Sequence, residues 1–285
     1  MIRFGLAVLF ASLGSSAFAQ NLLRFQWKAG EQLAFSVVQD TTISETAPLQ
    51  TGGKPETLTT TTKLAIGKRW DVKDVDATGT ATLTLTITAM KQEISKPLVG
   101  KDGKIALDTI VMDSATPDGA KEMAEYLNKP ILTAKVDARG GVIEAKAVAG
   151  ESTTNRLQAE LPFRVQLPEQ AVAVNGTWER TFNVKLDPPL GIGEAHEAKQ
   201  TYTHRATNGG YAVIGLTTAF KSLPIAAAEQ QPLIPWLWEG DVFVEIEKGR
   251  YAGAKLTAKK TIANHQGEGT KFVFESTYTE AAAGK

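Results

Sequence analysis

Thr80-Ala81-Thr82-Leu83-Thr84-Leu85-Thr86-Ile87-Thr88-Ala89 is the stretch that decides the fold class of this chain. Apolar side chains take every odd position and threonine every even one, which is the period of a strand with one buried face. Just upstream, Leu58, Thr60, Thr62, Leu64, Ile66, Trp70 and Val72 share one parity, while Lys63, Arg69, Asp71 and Lys73 take the other. Asp74 to Gly79 then reads as the turn that joins the two into a long hairpin.

The same logic extends outward. Turns are expected at Asp137 to Gly141, Asn208-Gly209-Gly210, Lys248-Gly249-Arg250 and His265 to Gly269, each between two strand patterns. Segments around Leu33, Leu64, Leu83, Ile131, Ile143, Phe182, Tyr202, Val213, Val244, Leu256 and Phe274 bring the expected total to about a dozen strands. Two short helices interrupt them. Thr116 caps one that starts at Pro117, carries Met123, Tyr126 and Leu127 and stops before Pro130; Ser152 precedes another over Asn155 to Leu161, stopped by Pro162. Both are expected to cover sheet edges or barrel ends. The fold class is therefore mainly β, with antiparallel, strongly curved sheets of half-barrel or sandwich type and two short helices.

Residues 1–19 have the features of an export signal: Arg3, an apolar run through Leu6 to Phe10 that is too short to span a bilayer, and Ala17-Phe18-Ala19 as the cleavage site. A periplasmic or extracellular address follows as an expectation, with cleavage near Ala19 and no further membrane span in the mature chain. The remainder divides into a first β repeat over 20–150, a helical connection over 151–168 and a second β repeat over 169–285, two series that together can make one continuous domain. Each series runs as strand, hairpin, insertion, hairpin. Similarity of this kind also arises from ordinary hairpin chemistry, so duplication and coincidence both remain open.

Composition narrows the chemistry. The chain has no cysteine, which excludes thiol catalysis, disulfides and thiolate metal sites. Its 31 basic and 31 acidic residues balance, so it lacks the clustered basic field that nucleic acid binding needs. His196 and His204 lie eight residues apart on one expected strand, roughly 27 Å, too far to share a metal. Asp74, Asp76, Thr78 and Gly79 imitate the start of a calcium loop, but its twelfth position is Leu85 where a bidentate acid is required, and turn chemistry explains them better. There is no G-x-S-x-G elbow, Ser152 and Ser276 have no recognisable base nearby, and Gly52-Gly53-Lys54-Pro55 is not a phosphate loop. Glu239, Asp241, Glu245 and Glu247 fit alternating charge on a solvated strand face more simply than an acid and base pair. No catalytic residue, metal or cofactor is expected.

In order along the chain, Trp27-Lys28-Ala29-Gly30-Glu31, Val72 to Ala81, Val136-Asp137-Ala138-Arg139-Gly140, Leu167-Pro168-Glu169 and Gly176-Thr177-Trp178 resemble a family of secreted bacterial β proteins known as domain of unknown function 6263. The resemblance covers most of the chain after residue 19, although the segment between Lys91 and Asn128 is shorter than in the family. It implies an exported, mainly β domain and supplies neither catalytic residues nor a ligand.

The remaining candidate is apolar. Leu233-Ile234-Pro235-Trp236-Leu237-Trp238 puts two of the five tryptophans in a proline-broken segment before a strand. Leu233, Ile234, Trp236, Leu237 and Trp238 either line a cleft for a hydrophobic group or plug the end of a barrel, and the plug is the simpler reading. The expected function is non-enzymatic binding of a lipid or other hydrophobic small molecule. A structural or interaction module that binds another envelope protein is the alternative, and a hydrolase with an acidic pair the second.

Overall fold

The computed structural model describes residues 22–48, 55–100, 104–148, 160–188 and 190–283. The export segment and nearly all of the expected helix at 155–161 lie outside these residues. The strands are β1 (Gln32–Pro48), β2 (Pro55–Val75), β3 (Ala81–Val99), β4 (Ile105–Asp113), β5 (Pro130–Val136), β6 (Val142–Ala147), β7 (Thr177–Leu186), β8 (Glu194–Asn208), β9 (Tyr211–Phe220), β10 (Glu239–Glu245), β11 (Arg250–Ala263) and β12 (Lys271–Ala282). All twelve join one antiparallel sheet in the order β6-β5-β3-β2-β1-β12-β11-β10-β9-β8-β7, with β4 paired to the far part of β3. The sheet is open. Both halves of the chain step across it in the same direction, and β1 and β12 join them through a long register from Phe35 opposite Ala282 to Thr46 opposite Lys271.

The hairpin that the threonine alternation announced is β2–β3, with Val72 opposite Leu83 and Trp70 opposite Leu85. Trp70, Val72, Ala81 and Leu83 face the core, at 2% exposure or less. Asp76 organises the turn: its Oδ1 accepts from the Thr78 amide at 2.8 Å and the Thr80 amide at 3.0 Å. That is turn chemistry, and the carboxylate is consumed by it. Thr84 and Thr86 are buried as well, so this part of β3 is covered on both faces. The loop from Ser114 to Asn128 is tied to β3 at both ends, through Ser114 N to Met90 O and Asn128 N to Ile87 O, each 2.8 Å.

Two local differences from the sequence reading stand out. Helix α1 (Pro117–Glu122) has Thr116 as its cap, donated to by the Gly119 amide at 3.2 Å, but it ends far short of Pro130. Asn128 takes a positive φ of 57° and Leu127 bridges to Ile87, so the chain turns back onto the sheet there. Helix α2 (Ala227–Gln230) and the following 3-10 turn (Gln231–Trp236) occupy the stretch before β10. Proline at 232 and 235 removes two amide donors, which suits a short, tight turn rather than a long helix.

The sheet is strongly curled, and the hydrogen bonds say how. Leu167 N donates to Arg139 O in the β5–β6 turn at 2.7 Å, while Gln166 O accepts from Trp178 Nε1 of β7 at 2.6 Å. β5 and β7 stand nine strand spacings apart in the sheet. In a flat sheet that is roughly 43 Å. A strongly curled sheet brings both to one short segment. That segment is a strap, residues 161–168, in which Leu161, Phe163, Val165 and Leu167 are all buried on the inner side. A second extended piece, Leu22 to Lys28, lies beside it and donates from Phe25 N to Ala138 O and from Gln26 N to Gly249 O. Phe163 is the hub, with ring centroids 5.2 Å from Trp27, 5.6 Å from Phe25, 6.0 Å from Trp70 and 5.5 Å from Tyr251. Among the described residues no helix is long and apolar enough to cross a membrane.

Candidate functional site

The tryptophan segment before β10 is packed inward. Leu233 and Ile234 are 0% and 1% exposed, Trp238 is buried with its ring 5.9 Å from Tyr278, and Trp236 and Leu237 are half-buried. Trp236, Trp238, Phe182, Leu216, Leu256 and Arg164 surround a cavity of about 10 Å³. That is room for about one water molecule and not for an acyl chain.

Behind this cavity lies a polar cluster that the sequence reading did not find. Glu280 of β12 is buried on the inner face, where its carboxylate accepts from Tyr251 Oη at 2.9 Å and from Tyr278 Oη, and stands 2.7 Å from Lys68 Nζ of β2. Arg164 of the strap lies over the Tyr278 ring at 4.3 Å and 3.2 Å from Glu160. Burial opposes the charge on Arg164, but Tyr278, Glu160 and Glu280 outweigh it and raise its pKa, so the guanidinium is permanently charged. Burial first, then the Glu280 charge, raises the Tyr251 hydroxyl well above its ordinary value. Every member is engaged and the adjacent space is minimal, so the cluster fastens the strap to the sheet. Its sequence trace was slight: one glutamate at an inward parity of β12.

The three histidines serve separate local structures. His204 contacts Val172 O at 3.3 Å and Thr207 Oγ1 at 3.1 Å, His265 sits 2.8 Å from Glu45, and His196 lies 3.9 Å from Glu194. Among the described residues no group of three or more such side chains is arranged to hold a metal. Ser276 Oγ is bonded to Thr41 Oγ1 at 2.8 Å in the sheet interior. Asp241 pairs with Arg205 and Glu245 with Lys248, while Glu239 and Glu247 are exposed.

Space for a ligand exists on the opposite, outer face of β9 to β12. There a groove of about 430 Å³ is lined by Tyr211, Val213, Phe243, Ala252, Thr279 and Ala281, with Asn208 and Lys255 alongside. This is within the size range of small-molecule sites, roughly 300–1,000 Å³. Register builds it: Val213 opposes Phe243, Phe243 opposes Gly253 and Gly253 opposes Ala281. The floor is low because position 253 has no side chain. A Cβ there would lie 2.1 Å from Glu280 O, at a φ of +141°, so glycine alone is accommodated. A β-bulge between Phe243 and Val244 adds local twist and leaves Phe243 standing half-buried beside this floor.

No protein-family profile and no curated protein matches this chain. Among solved structures, one on lipid–protein interactions in lipovitellin is similar over 90% of this chain, at 13% identity and a TM-score of 0.46. The chain spans about a quarter of the length of that lipovitellin chain, 25%. A structure of DynF from the dynemicin biosynthesis pathway of Micromonospora chersina aligns with 99% of this chain and 94% of its own, at 8% identity and a TM-score of 0.21. Neither likeness bears on function.

Proposed function

We propose that this is an exported cell-envelope protein of the secreted β family it resembles, and that it binds a hydrophobic small molecule without catalysis. The observation that carries the reading is the apolar outer groove, because the inner crevice beside Trp236 and Trp238 has no room for a ligand. Each methylene buried against Phe243 and Val213 contributes about 0.8 kcal/mol, so a short chain gains useful affinity without polar anchoring.

Titration of the purified protein with Nile red, followed by displacement with dodecanol, tests this. The wild type is expected to bind both. Ala281→Trp, on the exposed side of β12, fills the groove; excluding two methylenes weakens dodecanol binding roughly tenfold. Equal binding by this variant, or no binding by the wild type, defeats the proposal.

A second reading, as an interaction module, is favoured by β4. This edge strand leaves Ile105, Leu107, Ile110 and Val111 exposed at 46%, 70%, 45% and 53%. An apolar edge of this kind is a template for strand addition by another chain. The expected result is concentration-dependent self-association or capture of an envelope protein by the wild type, abolished in Leu107→Lys/Val111→Lys without change in the far-ultraviolet dichroism. A wild type that stays monomeric and captures nothing removes this reading.

A further inference from the structure

We infer that the outer groove takes a carboxylate-headed aliphatic amphiphile, with the Lys255 ammonium holding the carboxylate and the Phe243 wall holding the chain; this rests on the groove being a hydrophobic-ligand site. Lys255 is the one basic side chain that lines it. It is exposed and, among the described residues, makes no hydrogen bond or ion pair.

The nearby acids do not neutralise it. Asp241 stands opposite Lys255 in the β10–β11 register, yet its Oδ1 is 2.8 Å from Arg205 Nη1. Glu245 is held by Lys248 at 2.6 Å. Glu280 contributes to the groove floor from behind, but its carboxylate is on the inner face against Lys68. One positive charge is therefore left beside an apolar trough, which is complementary to an anion with an apolar body.

The kind of anion follows from what surrounds that charge. A phosphate is best met by an arginine fork or a cradle of backbone amides, whereas a lone lysine is a single point charge suited to a monovalent head. The length follows from the strands. From Lys255 on β11 over Phe243 on β10 to β9 the groove crosses two spacings, roughly 10 Å. A zigzag of about a dozen carbons with bonds of about 1.5 Å is long enough to cover that span in full.

The test compares dodecanoate with dodecanol as displacers of Nile red, at neutral pH and low salt, on wild type and Lys255→Met. The wild type is expected to prefer dodecanoate about fivefold, the upper range for an exposed ion pair, with the preference shrinking as salt is added. Lys255→Met is expected to lose the preference and keep its dodecanol affinity. A wild type that binds both equally, or a variant that retains the preference, overturns the carboxylate assignment while leaving the groove as a hydrophobic site. A wild type that does not bind dodecanol overturns the groove reading and this inference with it.

Discussion

Phe163→Ala is expected to lower the free energy of unfolding by about 3–5 kcal/mol, read as a shift of the urea midpoint. The expectation rests on where the ring sits. Phe163 is 0% exposed and touches aromatic rings from the extended piece Leu22 to Lys28 and from β1, β2 and β11, which lie on different parts of the curled sheet. Its removal leaves a cavity that these neighbours cannot close by moving together, because Phe35, Trp70 and Tyr251 are each fixed in a ladder of strand hydrogen bonds. For a domain whose total stability is about 5–15 kcal/mol, this is a large fraction. Two accompanying signs separate loss of the strap from a simple cavity. The near-ultraviolet dichroism of Trp27 and Trp70 weakens, and the amides of Phe25 and Leu167, which donate to Ala138 O and Arg139 O, exchange faster. A loss under about 1.5 kcal/mol, typical of a methylene rather than of a hub, means that the sheet holds its curl without the strap.

How far the sequence announced this arrangement differs from element to element. The β2–β3 hairpin was legible because the apolar face of β3 is set against the core, which imposed alternation on Ala81, Leu83 and Leu85, although Thr84 and Thr86 on the other face are covered too. β4 has no such constraint. Ile105, Leu107, Ile110 and Val111 are exposed on both sides of an edge strand, and with no buried face there is no period to read. The strap did carry a signal, since Leu161, Phe163, Val165 and Leu167 alternate strictly with Pro162, Arg164, Gln166 and Pro168. It is four apolar positions long, and Pro162 within it read first as the stop of the helix expected at Asn155 to Leu161. The tryptophan segment was visible as an apolar run, but whether it opens or plugs depends on Arg164 and Phe182, which arrive from elsewhere in the chain. The outer groove depends on the register of four strands spread from residue 211 to 281. One local clue to it was present. Gly253, in Tyr251-Ala252-Gly253-Ala254, interrupts a strand pattern, and a glycine there marks a bulge or a close backbone approach.

Alkaline pH is expected to unfold the protein steeply, and the cause is three tyrosines. Tyr202, Tyr251 and Tyr278 are at most 5% exposed, and burial, as the leading cause, raises each hydroxyl above the ordinary 10.0. Arg180 beside Tyr202 and Arg164 beside Tyr278 oppose the rise without cancelling it. Above pH 10 the unfolded chain therefore gives up protons that the folded one retains. The unfolded state binds fewer protons, so stability falls as pH rises; below the unfolded value both states are protonated and the three residues contribute no slope. Each contributes about 1.4 kcal/mol per pH unit in this window, roughly 4 for the three together. Urea midpoints should therefore hold nearly level through neutral pH and drop sharply beyond 10, with phenolate absorbance appearing in step with the loss of tertiary dichroism. Lysine deprotonation acts in the same range, and Tyr202→Phe separates the two. Its hydroxyl donates to Gln200 Oε1 and accepts from the Gln166 backbone amide, and removing it takes away about a third of the slope. An unchanged slope in that variant, or a flat midpoint across the window, would mean that these hydroxyls ionise inside the folded sheet.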